Sequence, residues 1–436
     1  MIRLSTKTIF EQGIFNLQRS QADVFRTQDQ ISTGRRVRTP ADDPVTAARA
    51  LEVEQAQAIG KQYMRNNDSA DAALSRSENA LASTVQLLQD VRTLAVNAGN
   101  GALSTNELRS IAAELRGRYQ ELIGIANSTD GNGLYLFSGY QANTQPFAET
   151  TPGTVAYAGD QGSRLVQISA SREIPISDPG SDIFQRIKNG NGTFVTGAAT
   201  ANTGTGVVSP GTVTNPGAWN ASGNPQDFTV RFHVDSTVNP PATTYDIVDN
   251  GSGNSLLTGA AAAASGPYLR TYTEGATIAL RRQAPPDTNA TNWDYGAGIS
   301  VKGAPATGDS FTVDASTNED MFATLHNLIE ALETAQSGPV GNARLANDIN
   351  TALSNFDRGI DNVLRVQASV GARLREAEET KAAQDDLVGQ YEQTLSDLRD
   401  LDYAKAISDL ARQQLTYEAA QKTFAQVQSL SLFQYI

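Results

Sequence analysis

The chain has no cysteine, which excludes disulfides, thiolate nucleophiles and Cys-ligated metals. Histidine is nearly as scarce. His233 and His326 are the whole complement, and neither has a second histidine at metal-ligand spacing. HExxH, GxxxxGKS/T and GxSxG are all missing, and "GTGVVS" at Gly204 fails the GxGxxG pattern. Basic residues are in deficit, 34 against 47 acidic, and the net charge of -13 argues against nucleic acid or an anionic membrane as main partner. Long apolar runs are lacking too. The start, MIRLSTKTIFEQGIF, has no secretory-type apolar stretch of about 7 to 15 residues, and no run reaches the about 18 residues that span a bilayer. If the protein leaves the cell, another route is expected to carry it. Neither an enzyme nor a cofactor site is expected.

What is present divides the chain by composition. Of 16 prolines, thirteen fall between Pro146 and Pro305, none between Val45 and Gln145, and only Pro339 after Ala306. The middle is rich in Gly, Thr and Asn and carries short runs such as "RLVQIS", "FTVRFHV", "TYDIV" and "GATIAL" between turn residues. These spell a mainly β insert over residues 141–315.

The flanks have helical period. Phe10, Ile14, Leu17, Gln21, Val24, Gln28 and Ile31 step by four and three, the a/d spacing of a coiled-coil seam. Tyr403, Ile407, Leu410, Gln414, Tyr417, Gln421, Phe424 and Gln428 do the same near the other end. The two termini therefore read as partners. Glutamine at seam positions fixes register while weakening the pair, so the pair is expected to be marginal alone. An ordinary antiparallel helix pair in a stable core is the alternative. Further inward, Leu74, Leu81, Leu88 and Ala95 recur every seven residues, and Ile349 to Leu374 repeats the same alternation. "STNE" at Ser104–Glu107 has capping-box spacing ahead of Leu108, Ile111, Leu115, Leu122 and Ile125. The predicted fold class is α+β and multidomain: a long helical bundle and coiled coil built from both termini, with a mainly β middle insert. Residues 1–40 with 398–436 are expected to form the terminal coiled coil, 41–140 with 316–397 a helical bundle, and 141–315 the β insert.

Local constellations have structural readings. "DGNG" at Asp130–Gly133 places Gln141 where a calcium loop needs a bidentate glutamate, so a turn before a strand "LYLF" fits better. Asp385 and Asp386 cannot share one helical face and read as solvated surface. Trp219 and Trp293 are sugar-stacking candidates, with buried core as the competing reading. "ISTGRRVRTPADDP", residues 31–44, gathers Arg35, Arg36 and Arg38 beside Asp42 and Asp43. An anion could sit at the helix start that follows. The two aspartates already supply negative charge there as first-turn carboxylates, so an internal or intersubunit Arg–Asp joint is favoured, with the arginines reaching neighbouring chains.

Several segments share an outside likeness. "ISTGRRVRTPADDPVTAARA" resembles the stretch after the first helix of the flagellin family. "NGALSTNELRSIAAELRGRYQELIGIANSTDGNGLYLFSGY" is similar, more narrowly, to the hook-associated branch of that family. So are "GARLREAE" and the ending "LDYAKAISDLARQQLTYEAAQKTFAQVQSLSLFQYI", and "VKGAPATGDSFTV" is a weaker echo. The resemblance implies terminal segments paired at the inner wall of a tube, a surrounding helical layer and an outward-facing middle. It implies unfolded export through the flagellar type III apparatus with an export chaperone, and an extracellular place in the flagellum. The implied partners are copies of the chain in a ring, an adjacent hook-associated protein and flagellin, so that the ring joins hook to filament. A flagellin filament subunit, or an adhesin displayed through the insert, are the competing readings.

Overall fold

The computed structural model describes residues 6–429. Eight helices occur among them: α1 (Thr6–Thr33), α2 (Pro44–Ala98), α3 (Thr105–Ala126), α4 (Gly180–Phe184), α5 (Pro216–Trp219), α6 (Met321–Glu333), α7 (Pro339–Arg399) and α8 (Tyr403–Ser429). The strands are β1 (Phe147–Thr151), β2 (Thr154–Tyr157), β3 (Leu165–Ser169), β4 (Arg172–Pro175), β5 (Ile187–Lys188), β6 (Phe194–Ala198), β7 (Val207–Val208) and β8 (Thr212–Val213), then β9 (Asp227–Asp235), β10 (Ala242–Asp249), β11 (Asn254–Ser255), β12 (Arg270–Thr271), β13 (Thr277–Arg281), β14 (Asp294–Lys302), β15 (Ser310–Ala315) and β16 (Asn318–Glu319). The chain forms two compact units, one of residues up to 68, 167–172 and 378 onward, the other of 69–166 and 173–377.

In the second unit the helices follow their sequence signals. Ser104 caps α3 through the predicted box: Glu107 N donates to Ser104 Oγ at 3.3 Å and Ser104 N donates to Glu107 Oε2 at 2.7 Å. The helix then buries Leu108, Ala112, Leu115, Tyr119, Leu122 and Ala126 along one face and packs on α6. Asp320 starts α6 by accepting from Phe322 N and Ala323 N. Leu74, Leu81, Leu88 and Ala95 of α2 are all fully buried, as their seven-residue spacing requires. Asp130 closes the "DGNG" turn by accepting from the amides of Asn132 and Leu134. The strand expected after it does not form. Only an isolated bridge, Thr129 to Tyr135, is present, and Phe137 beyond it packs its ring against Phe184.

Within the insert, residues 194–315 form two sheets face to face, while β1 pairs with β2, β3 with β4 and β5 with β16 as separate two-stranded ribbons. One of the two facing sheets runs β11-β10-β9-β15-β6 with β12 on β10, and the other β13-β14-β7 with β8 on β14. Alternation buries Phe228, Val230 and Phe232 on β9, Phe311 and Val313 on β15, and Ile278 and Leu280 on β13, so the apolar faces meet as one core. Trp219 and Trp293 are both buried in that core, which removes them as exposed sugar platforms. A clasp joins the sheets. Arg270 on β12 pairs with Asp287 at 2.6 and 2.9 Å, both side chains buried, and also donates to the carbonyls of Ala279 and Arg281 on β13. The Tyr272 hydroxyl donates to the carbonyls of Val301 and Gly303.

Candidate assembly interface

The first unit carries the terminal pair. On α1 the sheltered face runs Gly13, Leu17, Ser20, Val24, Thr27 and Ile31, and on α8 Ala406, Leu410, Gln413, Tyr417, Ala420 and Phe424. Six of the fifteen predicted seam residues, Leu17, Val24, Ile31, Leu410, Tyr417 and Phe424, thus lie on the sheltered faces. Seven others do not: Ile14, Gln21, Gln28, Tyr403, Ile407, Gln414 and Gln421 are exposed, which corrects the seam read from the sequence. Phe10 is also exposed on one side, yet its ring lies 5.4 Å from that of Phe424. The side chain of Gln428 and the closing residues "LSLFQYI", like residues 1–5, lie outside the described residues.

The cause is side-chain size. Two stripes share positions 10, 17, 24 and 31, and the stripe completed by Gly13, Ser20 and Thr27 lets the helices approach closely. At Gly13 an added Cβ would stand 2.9 Å from the Phe424 ring. Beside Ser20 and Thr27, the pair shelters Gln413, whose Oε1 is buried with no partner, one residue before the predicted Gln414.

Little apolar area is hidden by this contact. Among the described residues of α1 and α8, only Thr27 and Ala406 are buried. Phe15 is 63% exposed, Phe25 60%, Ile407 56% and Leu415 70%. So many large apolar side chains in water on one helix pair mark a surface awaiting cover.

The joint beneath the pair is made by "ISTGRRVRTPADDP". Gly34 takes a left-handed conformation, φ 67°, and an added Cβ would meet the Tyr403 hydroxyl at 2.8 Å. Arg35 and Asp400 then form an antiparallel bridge, with Arg36 N donating to Arg399 O and Leu401 N to Gly34 O. The Arg36 side chain donates to Leu398 O and lies 3.8 Å from Asp43, and Arg38 pairs with Asp29 at 2.6 Å. Arg36 and Arg38 therefore have partners inside their own chain, where neighbouring chains were expected. Glu54 is held below the usual carboxylate range chiefly by its bond with Arg399, with a lesser contribution from the charge of Arg35.

The two aspartates differ in role. Asp43 precedes Pro44 and accepts from Thr46 N and Thr46 Oγ1 at the start of α2, an N-cap with proline following. Asp42 closes the preceding turn instead, accepting from Thr39 N, Thr39 Oγ1 and Arg38 N, and pairing with Arg26. It is not the first-turn carboxylate that the sequence implied. Thr39 holds the Asp42 carboxyl low and Thr46 holds that of Asp43 low, so both stay ionised. Beyond the joint, the part of α2 up to residue 68 pairs with the end of α7 through Glu54–Arg399, Lys61–Glu392 and Asp68–Lys381. Among the described residues no cluster of His, Asp or Glu could hold a metal ion, and no helix is long and apolar enough to cross a membrane.

Residues 5–142 match the family described as the bacterial flagellin N-terminal helical region. The hook-associated protein 3 of Escherichia coli is 26% identical over 438 residues, 99% of either chain. That of Salmonella typhimurium is 37% identical over 186 residues, 43% of this chain and 58% of its own length. The solved hook-associated protein 3 of Legionella pneumophila superposes with a TM-score of 0.68 at 29% identity, covering 79% of this chain and 98% of the other. Flagellins match shorter stretches, 28 to 30% of the chain. In fold, helix pair and matched sequence the chain is similar to flagellin-type proteins of the bacterial flagellum. Its full-length likeness is to hook-associated protein 3, the hook–filament junction protein.

Proposed function

We propose that copies of this chain form a ring joining the hook, through its neighbouring hook-associated protein, to the flagellin filament. The observation that carries the reading is the thinly buried terminal pair, whose Phe15, Phe25, Ile407 and Leu415 face water. Fully burying such side chains stabilises a contact by about 1.5 to 3 kcal/mol each. Residues 1–40 with 398–436 then line the inside of a tube, 41–140 with 316–397 surround them, and 141–315 face outward. Phe10, Ile14, Leu17, Gln21, Val24, Gln28 and Ile31, with Ile407, Leu410, Gln414, Tyr417, Gln421, Phe424 and Gln428, form the polymerisation surface. Arg35, Arg36, Arg38, Asp42 and Asp43 hold the joint. A pair that is loosely ordered alone suits unfolded passage through the flagellar export apparatus with a chaperone, and ordering on arrival. The function is structural and involves no catalysis or cofactor.

A deletion strain tests this by electron microscopy. Hooks without filaments, with flagellin shed into the medium, are expected, and normal filaments would overturn the reading. A filament subunit would instead be the bulk protein of sheared filaments, whereas a junction subunit is a trace component.

A further inference from the structure

A cleft of about 520 Å³ opens in the second unit between α4, β5 and α7. Its two carboxylates already have cations: Asp178 pairs with Arg373 at 2.6 Å and Asp182 with Arg186 at 3.0 Å. Its other two cations do not have carboxylates. Lys188 donates to the Ser316 carbonyl and Arg365 to the Asn362 amide oxygen, and among the described residues neither has an acidic partner. Asn318 and Ser369 add neutral hydrogen-bonding groups to the wall. The cleft is thus locally positive in a chain whose net charge is -13.

The complementary surface lies on the same chain. In the first unit, α7 carries Glu378, Glu379, Asp385 and Asp386, all exposed and without an ion-pair partner among the described residues. Residues 378 and 385, and likewise 379 and 386, are seven apart, so each pair stays on one side of the helix about 10 Å apart along it. Adjacent copies carrying so much negative charge repel one another, and a contact that sets an acidic ridge into a cationic cleft relieves this and fixes register.

We infer that the cleft holding Lys188 and Arg365 docks the Glu378–Asp386 ridge of a second copy of this chain. The contact rests on the proposed assembly of copies and names the surfaces that meet. Ion pairing across a rim sets alignment more than affinity, and it weakens as salt shortens the Debye length below its roughly 8 Å at physiological strength.

The lack of native cysteine gives a clean test. Full-length chain carrying both Arg365→Cys and Asp385→Cys is expressed in place of the natural chain, and isolated flagella are mildly oxidised. The expected result is a disulfide-linked dimer of this chain, several-fold above that from either single variant or from a control pairing Arg365→Cys with Thr237→Cys. Incorporation at normal amount with dimer no higher than the controls would overturn the contact, as would cross-linking to a different protein. Absence of the unsubstituted chain from flagella would overturn the function reading itself, a distinct result. As a second measure, K188E/R365E is expected to lower incorporation several-fold and D385K/D386K to restore it. Charge reversal without effect, or without rescue, counts against the pairing.

Discussion

In the insert, Phe228, Phe232 and Phe311 turn inward from facing sheets and are fully buried, whereas in the terminal pair Phe15 and Phe25 turn outward and are mostly exposed. The insert also pairs its buried charge internally: Arg270 reaches both Asp287 oxygens and two strand carbonyls, while His233 Nδ1 and Trp293 Nε1 are left without a partner. The terminal pair leaves Gln413 Oε1 buried and unpartnered. A region that buries its apolar residues and pairs its charges folds by itself. One that leaves its large apolar residues in water is completed by something else, here proposed to be neighbouring subunits.

The largest single effect is expected in the insert. Asp287→Ala strands the Arg270 guanidinium in the core, and leaving a buried charge unpaired costs about 3 to 5 kcal/mol. Denaturant unfolding should register that loss, with hydrogen exchange rising in β10 and β13 and unchanged in α1 and α8. Next comes Gly13→Val, which drives a branched side chain against Phe424. Overpacking of this kind costs about 1 to 3 kcal/mol, and circular dichroism should show lost helix while the insert unfolds as before. An intact helical signal would mean that the close approach at Gly13 is not needed.

The same contrast explains what the sequence could say. Burial by alternation in β9 and by seven-residue recurrence in α2 follows from period alone, so Phe228, Phe232, Leu74 and Leu81 were legible as core. The capping box at Ser104 was legible because both partners lie within three residues. The seam was only half legible. Positions 10, 17, 24 and 31 belong to two candidate stripes, and hydrophobicity chose the one with Ile14, whereas close packing chose the one with Gly13. Small residues carry no hydrophobic signal, although Gly13, Ser20 and Thr27 at seven-residue spacing could have flagged the closer contact. The partners of Arg36 and Arg38 were illegible for another reason: Leu398 is distant in sequence, and Asp29 could be chosen only once the turn at Gly34 was known. The Arg270–Asp287 clasp and the Lys188–Arg365 cleft join segments whose spacing follows no local rule.

Smaller effects separate the regions by pH. Asp314 lies opposite Asp227 across β15 and β9, and burial, with that neighbouring carboxylate, raises it above its usual range. A raised acid contributes stability below its unfolded pKa of about 3.9 and loses it as pH climbs through the folded value. Asp314→Asn should therefore stabilise the insert at neutral pH, by on the order of 1 kcal/mol or less because the group is only half-buried, read as a higher Tm. Asp42, Asp43 and Glu54 are shifted the other way, so their contribution to the joint is present above about 4 and lost as pH falls through their lowered values. Acidification below about pH 4 should loosen the joint while the insert holds, and proteolysis at graded pH distinguishes the two. The smallest change in monomer stability, within about 0.5 kcal/mol, is expected for Phe15→Ser with Phe25→Ser and Leu415→Ser. Failure of filament assembly in that triple variant, with an unchanged melt, would assign these side chains to contacts between subunits.

The central contrast is tested most directly by hydrogen exchange on the purified full-length monomer. Weak protection across residues 7–30 and 406–426, beside strong protection across β9, β10 and β15, is the predicted result. Protection of the terminal pair equal to that of the insert strands would contradict it.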